Sequence, residues 1–123
     1  MAEEKPTYSV AARCAAEAVG TFTSVAGGCG AVSAARYAGG PPIAASAFAG
    51  SVMIGVYATG SVSGAHLNPA VTAACVATGK PGPCTGEEGL CYAASQTVGA
   101  FLAACCNRGV YKHGVRALEK TEG

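Results

Sequence analysis

At 123 residues the chain is long enough for one small domain, and only 12% of it is charged, with no Asp at all, about half the charged share of a soluble domain. Half of the residues are apolar and the formal net charge is +1, which leaves no case for nucleic-acid binding and points to a membrane protein.

Charge gathers at the ends and in short loops: Glu3, Glu4, Lys5 and Arg13, then Arg36, then Lys80, Glu87 and Glu88, then Arg108 onward. Met1-Ala2-Glu3-Glu4 lacks the basic start of a secretory signal, and the acidic, Arg-poor start argues against an uncleaved transit peptide while leaving room for a cleaved one before residue 1. From Cys14 to Ala35 the single charge is Glu17, which predicts a first span over about residues 13–35. Tyr37 to Gly79 holds no charged residue but is too long for one crossing, so it divides into a span over about 43–62 and a shorter piece. That piece starts in Ser63-Gly64-Ala65-His66-Leu67-Asn68-Pro69-Ala70-Val71-Thr72, where Asn68 is a favoured N-cap and Pro69 suits the first helical position. A half-helix over about 68–78 follows, stopped by Gly79-Lys80-Pro81-Gly82-Pro83. Its length of about 15 Å is half of a hydrocarbon core of about 30 Å, so it can enter a membrane but cannot cross it. Gly89 to Asn107 is again uncharged and predicts a third span over about 89–108. The polar tail 109–123 mixes Lys and Arg with Val115, Leu118 and Glu119, which suits a short interfacial helix or a solvated stub. The fold class is all-α integral membrane, multi-pass: three transmembrane helices plus one re-entrant half-helix carrying Asn-Pro-Ala, in a single membrane domain of residues 1–123.

These spans are poor in bulk. The chain has four Leu and two Ile, whereas it is Leu, Ile, Phe and Val that drive insertion. Ala16, Gly20, Ser24 and Gly28 recur every four residues, a small-residue stripe that lets helix backbones approach closely.

Taken together, these residues resemble the first repeat of the aquaporins and glycerol facilitators, the major intrinsic protein family. Ser63-Gly64-Ala65-His66-Leu67-Asn68-Pro69-Ala70 is similar to its Asn-Pro-Ala hallmark segment. Ala16-Glu17-Ala18-Val19-Gly20-Thr21-Phe22 resembles its first-helix motif, Gly27-Gly28-Cys29-Gly30 the glycine-rich end of that helix, and Gln96-Thr97-Val98-Gly99-Ala100 its third-helix motif. Phe48 lies twenty residues before Asn68, where water-selective members carry a filter aromatic. The resemblance covers roughly residues 12–111.

The resemblance implies a discontinuous helix whose positive N-terminal end faces a permeation path. Asn68, in the Asn68-Pro69-Ala70 triplet, would donate its amide to passing water, His66 would line the vestibule, and Phe48 would stand at the filter. Glu17 would lie inside the bundle and accept hydrogen bonds from the irregular backbone before the half-helix, which gives a reason for an acid inside a span. Gln96 would satisfy further backbone groups. Alone, Asn68-Pro69 means a capped helix start and Phe48 a packed ring.

One repeat is present, with no second Asn-Pro-Ala and no Arg after one. The half-helix end and the backbone of residues 61–67 are expected to need cover from a partner, because irregular backbone in lipid must be enclosed. Weak insertion energetics favour other membrane subunits as that partner, making the chain a small non-catalytic accessory subunit of a larger membrane complex, with a photosynthetic or respiratory host in an organellar bioenergetic membrane as a guess. The alternative is a water or small neutral solute channel built from two copies in opposite orientations. Lys5, Arg13 and Lys80 lie at one side and Arg36, Arg108, Lys112, Arg116 and Lys120 at the other, a bias too small to fix orientation. Membrane lipids surround either assembly.

No catalytic residues are expected: no nucleophile and base pair or phosphate-binding Lys-Ser/Thr signature stands out, and an enzyme is not predicted. No cofactor is predicted either, a bound lipid or pigment entering only with a larger complex. Glu17, His66 and Asn68 lack metal-ligand spacing, and no span holds the Arg of three-helix pigment proteins. The seven cysteines are odd in number, without Cys-x-x-Cys spacing. They read as small packing residues, with Cys84 as an exposed thiol.

Overall fold

The computed structural model describes residues 8–79 and 85–122, all of it helix and connecting turns. Cys84 lies outside the described residues. Helix α1, Val10–Tyr37, is capped by Ser9, whose side chain accepts from Ala12 N at 3.2 Å. Helix α2, Ala44–Ser63, ends at Gly64 in the left-handed region. Helix α3, Pro69–Thr78, starts at Asn68 and stops at Gly79, also left-handed. Helix α4, Gly86–Glu122, has Glu87 and Glu88 in its first turn and Lys120 in its last, each sign favourable to the helix dipole.

Three of the four helices are long and apolar enough to cross a membrane, and α3 is the short one. The tail is not a separate stub. Residues 109–122 continue α4 as one helix, because no Gly-Pro stop follows Asn107 and the packing of Gly114 beside Tyr37 holds the extension against the end of α1.

Helix α1 is central. It packs on α2 along one side and on α4 along the other, while α3 packs on α4 and α2 meets α4 through the hydrogen bond from Tyr92 to the last carbonyl of α2. Small residues allow this. Gly20, Ser24 and Gly28 are buried along α1, with Ala16 half-buried. A Cβ at Gly20 would overlap Leu67 and Thr59, and one at Gly28 the ring of Phe48. On the other side a Cβ at Gly99 would run into the backbone carbonyl of Ala18, so α1 and α4 meet there at backbone contact.

The few bulky residues point outward. Only Leu67, Tyr92 and Ala103 are buried apolar residues among those described, whereas Val19, Ile54, Tyr57, Leu90, Val98, Phe101 and Leu102 are exposed. The chain spends its bulk on its outer faces and its Gly, Ala, Ser and Thr between helices, an arrangement suited to lipid. The cysteines follow the outward pattern. Cys29, Cys91, Cys105 and Cys106 are exposed and Cys14 and Cys75 half-buried, all as free thiols, so they do not fill the helix interfaces as expected.

An ion pair ties the first turns of α1 and α4. Arg13 grips Glu88 through two parallel bonds of 2.7 and 3.1 Å, with 5% of the Arg13 side chain exposed. Such a fork is the stronger form of the Arg–carboxylate contact.

Candidate functional site

The turn between α2 and α3 is the least regular backbone in the described chain. Gly64, Ala65 and Leu67 all have positive φ, at 87°, 49° and 52°. For the two residues that carry a Cβ this costs roughly 1–2 kcal/mol each, so the turn needs other groups to hold it.

Glu17 is the largest of those groups. Its side chain is fully buried and accepts four hydrogen bonds. Oε1 accepts from Ser63 Oγ at 2.6 Å and from His66 N at 2.9 Å. Oε2 accepts from Leu67 N at 2.7 Å and from Gln96 Nε2 at 2.8 Å. Two backbone donors that no helix ladder could satisfy are therefore met by one carboxylate on α1, which is the condition for irregular backbone at membrane depth. Ser63 Oγ also accepts from Ala65 N at 3.1 Å, and Tyr92 Oη donates to Ser63 O at 2.8 Å. Leu67 is driven into the groove between Gly20 and Gly55. Backbone and side chain of the turn are thus both fixed to the bundle.

Gln96 has a different role from the one expected. Its Nε2 donates to Glu17 Oε2 and, at 3.0 Å, to Thr72 Oγ1, so it joins two side chains and not the backbone. Thr72, buried on α3, lies 3.1 Å from His66 Nδ1. Because Thr72 Oγ1 accepts from Gln96, its own hydrogen is available to His66 Nδ1, an arrangement that suits an imidazole carrying its proton on Nε2. His66 also meets Tyr92 edge-on, with ring centroids 5.5 Å apart. One chain of contacts runs from α1 through α4 to α3 and the turn: Glu17, Gln96, Thr72, His66.

Asn68 stands at the end of that chain and is exposed. Its Oδ1 accepts from Ala70 N at 2.9 Å, and Pro69 supplies the first helical residue. The cap fixes the amide's orientation. With Oδ1 held, Nδ2 is left without a partner among the described residues at the positive end of α3.

The same chain of residues is matched by the model of the major intrinsic protein family, over residues 4–122. Aquaporin NIP1-3 of Oryza sativa subsp. japonica is 36% identical over 111 residues, 86% of this chain and 38% of the relative. The glycerol uptake facilitator protein of Haemophilus influenzae is 37% identical over 108 residues, 85% of this chain and 40% of the relative. Aquaporin Z of Bradyrhizobium diazoefficiens is 42% identical over 96 residues, 73% of this chain and 38% of the relative.

The chain belongs to the major intrinsic protein family. It is an integral, multi-pass membrane protein, and it spans well under half the length of these curated relatives. For a major intrinsic protein the expected residues fall into two groups. Glu17, His66, Asn68, Pro69, Ala70 and Gln96 come together around the turn and the start of α3, whereas Phe48 packs its ring on Gly28 at the α1–α2 contact, 38% exposed. Sequence reasoning missed Ser63, Thr72 and Tyr92, which complete the network. Tyr92 and Gln96 lie four apart on α4, a helical spacing that could have paired them. Among the described residues no group of three His, Cys, Asp or Glu side chains could hold a metal.

Proposed function

We propose that this chain supplies one half of a transmembrane pathway for water or a small neutral solute, lined by Asn68 and completed across its open face by a second half of the same kind. The observation that carries the reading is the Asn68 amide: its Oδ1 is occupied by the cap and its Nδ2 is presented from the start of a helix too short to cross the membrane. A fixed N–H donor at a positive helix end favours the oxygen of a neutral molecule and opposes a cation. The relatives bear the names aquaporin and glycerol uptake facilitator, which supports the same class of solute.

The accessory-subunit reading rested on spans too poor in bulk to face lipid. The outward placement of Ile54, Phe101, Leu102 and Leu90 weakens that ground, and nothing among the relatives' names favours it. The test is osmotic shrinkage of proteoliposomes followed by stopped-flow light scattering. The proposal expects the purified protein to shrink faster than empty liposomes, with the excess lost in Asn68→Ala. Shrinkage equal to that of empty liposomes, with stoichiometric co-migration of the protein in a large hetero-complex on native gels, would return the accessory-subunit reading.

A further inference from the structure

The last five turns of α4 carry a feature that the pathway does not use. Arg108, Lys112, Arg116 and Lys120 recur every four residues and so stand in one row along the helix. All four are exposed. The other face of this segment is held: Tyr111, Gly114, Val115 and Leu118 are half-buried, Gly114 sits against Tyr37 of α1, and Arg36 lies 3.6 Å from Glu122. The row is therefore presented by a fixed helix and not by a loose tail.

We propose that this row seats the phosphate of an anionic lipid headgroup. Depth is the first reason. Arg108 lies 22 residues after Gly86, a rise of about 33 Å, which places it at the far edge of a hydrocarbon core of about 30 Å. Lys112 lies about 6 Å further along, within a headgroup layer of roughly 5–8 Å. Arg116 and Lys120 stand beyond it, the first of them within about a Debye length of the surface.

Electrostatics is the second reason. Like charges four apart on a helix repel, and the row contains three such pairs. Glu119 borders the groove of about 210 Å³ that Arg108, Lys112, Val115 and Arg116 line, and Glu122 faces Arg36; His113 is the remaining titratable neighbour along this segment apart from Tyr111. With Arg36 counted, two carboxylates against five cations leave the row positive, and a bound anion reduces the repulsion. A phosphate oxygen suits the Arg108 fork, and an ammonium four residues on suits the same group as a point charge. The membrane supplies such phosphates at this depth, and the chain's net charge of +1 offers no broader field for a polyanion.

The test titrates the full chain, purified in a nonionic detergent, with dihexanoylphosphatidylglycerol, dihexanoylphosphatidylcholine or inorganic phosphate, and counts adducts by native mass spectrometry. Phosphatidylglycerol is expected to bind about tenfold more tightly than phosphatidylcholine, and the preference should fall with added salt. Arg108→Gln with Lys112→Gln should abolish the preference, while Arg108→Lys with Lys112→Arg keeps most of it. Equal binding of the two lipids by the wild-type chain overturns the proposal without any variant, as does a preference that survives the glutamine pair in a protein of unchanged far-UV circular dichroism. Displacement of phosphatidylglycerol by an equal concentration of inorganic phosphate would make free phosphate the ligand and also overturn it.

Discussion

Replacing Glu17 by Gln keeps the size and shape of the side chain and changes its charge and hydrogen-bonding sense, which makes it the sharpest perturbation of the turn. Four donors converge on the two carboxylate oxygens at 2.6–2.9 Å. A carboxamide offers one oxygen and one donor group, so whichever way it flips, two of the four donors lose their acceptor and face an N–H. If Nε2 takes the Oε2 position, the backbone N–H of Leu67 is stranded and Gln96 must flip its amide to offer Oε1, a buried oxygen with no other partner among the described residues. If it takes the other, Ser63 and His66 are stranded. Hydrogen bonds to a charged group contribute about 1.5–3 kcal/mol each, and Glu17 is fully buried, so solvent screening does not reduce the figure. Loss of two bonds amounts to about 3–6 kcal/mol. Relaxation of the left-handed Ala65 and Leu67 toward easier backbone returns part of it, leaving a net loss of roughly 3 kcal/mol. In thermal unfolding of the detergent-purified protein, followed by far-UV circular dichroism, this corresponds to a fall in Tm of roughly 10 °C. Glu17→Asp should also fall, because its shortened side chain cannot reach both sets of donors. A glutamine variant that melts with the wild type would refute the reasoning that this carboxylate organises the turn.

Two further predictions concern packing. Gly99→Ala places a methyl group against the Ala18 carbonyl, a backbone atom that cannot rotate away; a loss of about 1–3 kcal/mol is expected, read as a lower melting temperature. Gly50→Ala, where nothing lies within 4 Å of the new atom, should instead be neutral or stabilising by up to about 1 kcal/mol. Arg13→Gln removes one partner of the fork with Glu88 and should lower stability measurably, and Arg13→Lys should recover only part of the loss because an ammonium cannot bond in parallel to both oxygens. A lysine variant equal to wild type would show that charge alone, without the fork, holds those two helix ends.

What the sequence makes legible here follows physical range. The start of α3 is local: an Asn cap, a Pro that needs no N–H, and a Gly stop all lie within the segment they shape, so its limits can be read directly. The spans are legible because intervals of about 20 residues or more with at most one charge have few other uses. The length of α4 is not, since residues 109–122 look like a soluble tail by composition and are kept helical by the end of α1. Long-range partners are the other gap. The Arg13–Glu88 pair joins positions 75 residues apart, and the roles of Ser63, Thr72 and Tyr92 depend on how α1, α3 and α4 meet. Phe48 illustrates the same point from the other side: its spacing to Asn68 matches a family position, yet its ring contact is with Gly28 on a neighbouring helix.

The half-pathway reading has one consequence that separates it from any purely structural use of the turn: Asn68 must meet water. This can be measured with Asn68→Cys in a chain whose native cysteines are all replaced by Ala, reconstituted in liposomes and exposed to a charged, membrane-impermeant methanethiosulfonate reagent. Phe101→Cys in the same background serves as the reference, because Phe101 points away from the bundle on α4. The account predicts that the cysteine at position 68 reacts much faster than the one at position 101. Equal, slow labelling at both positions would mean that the start of α3 lies in lipid or protein, and would contradict the central claim.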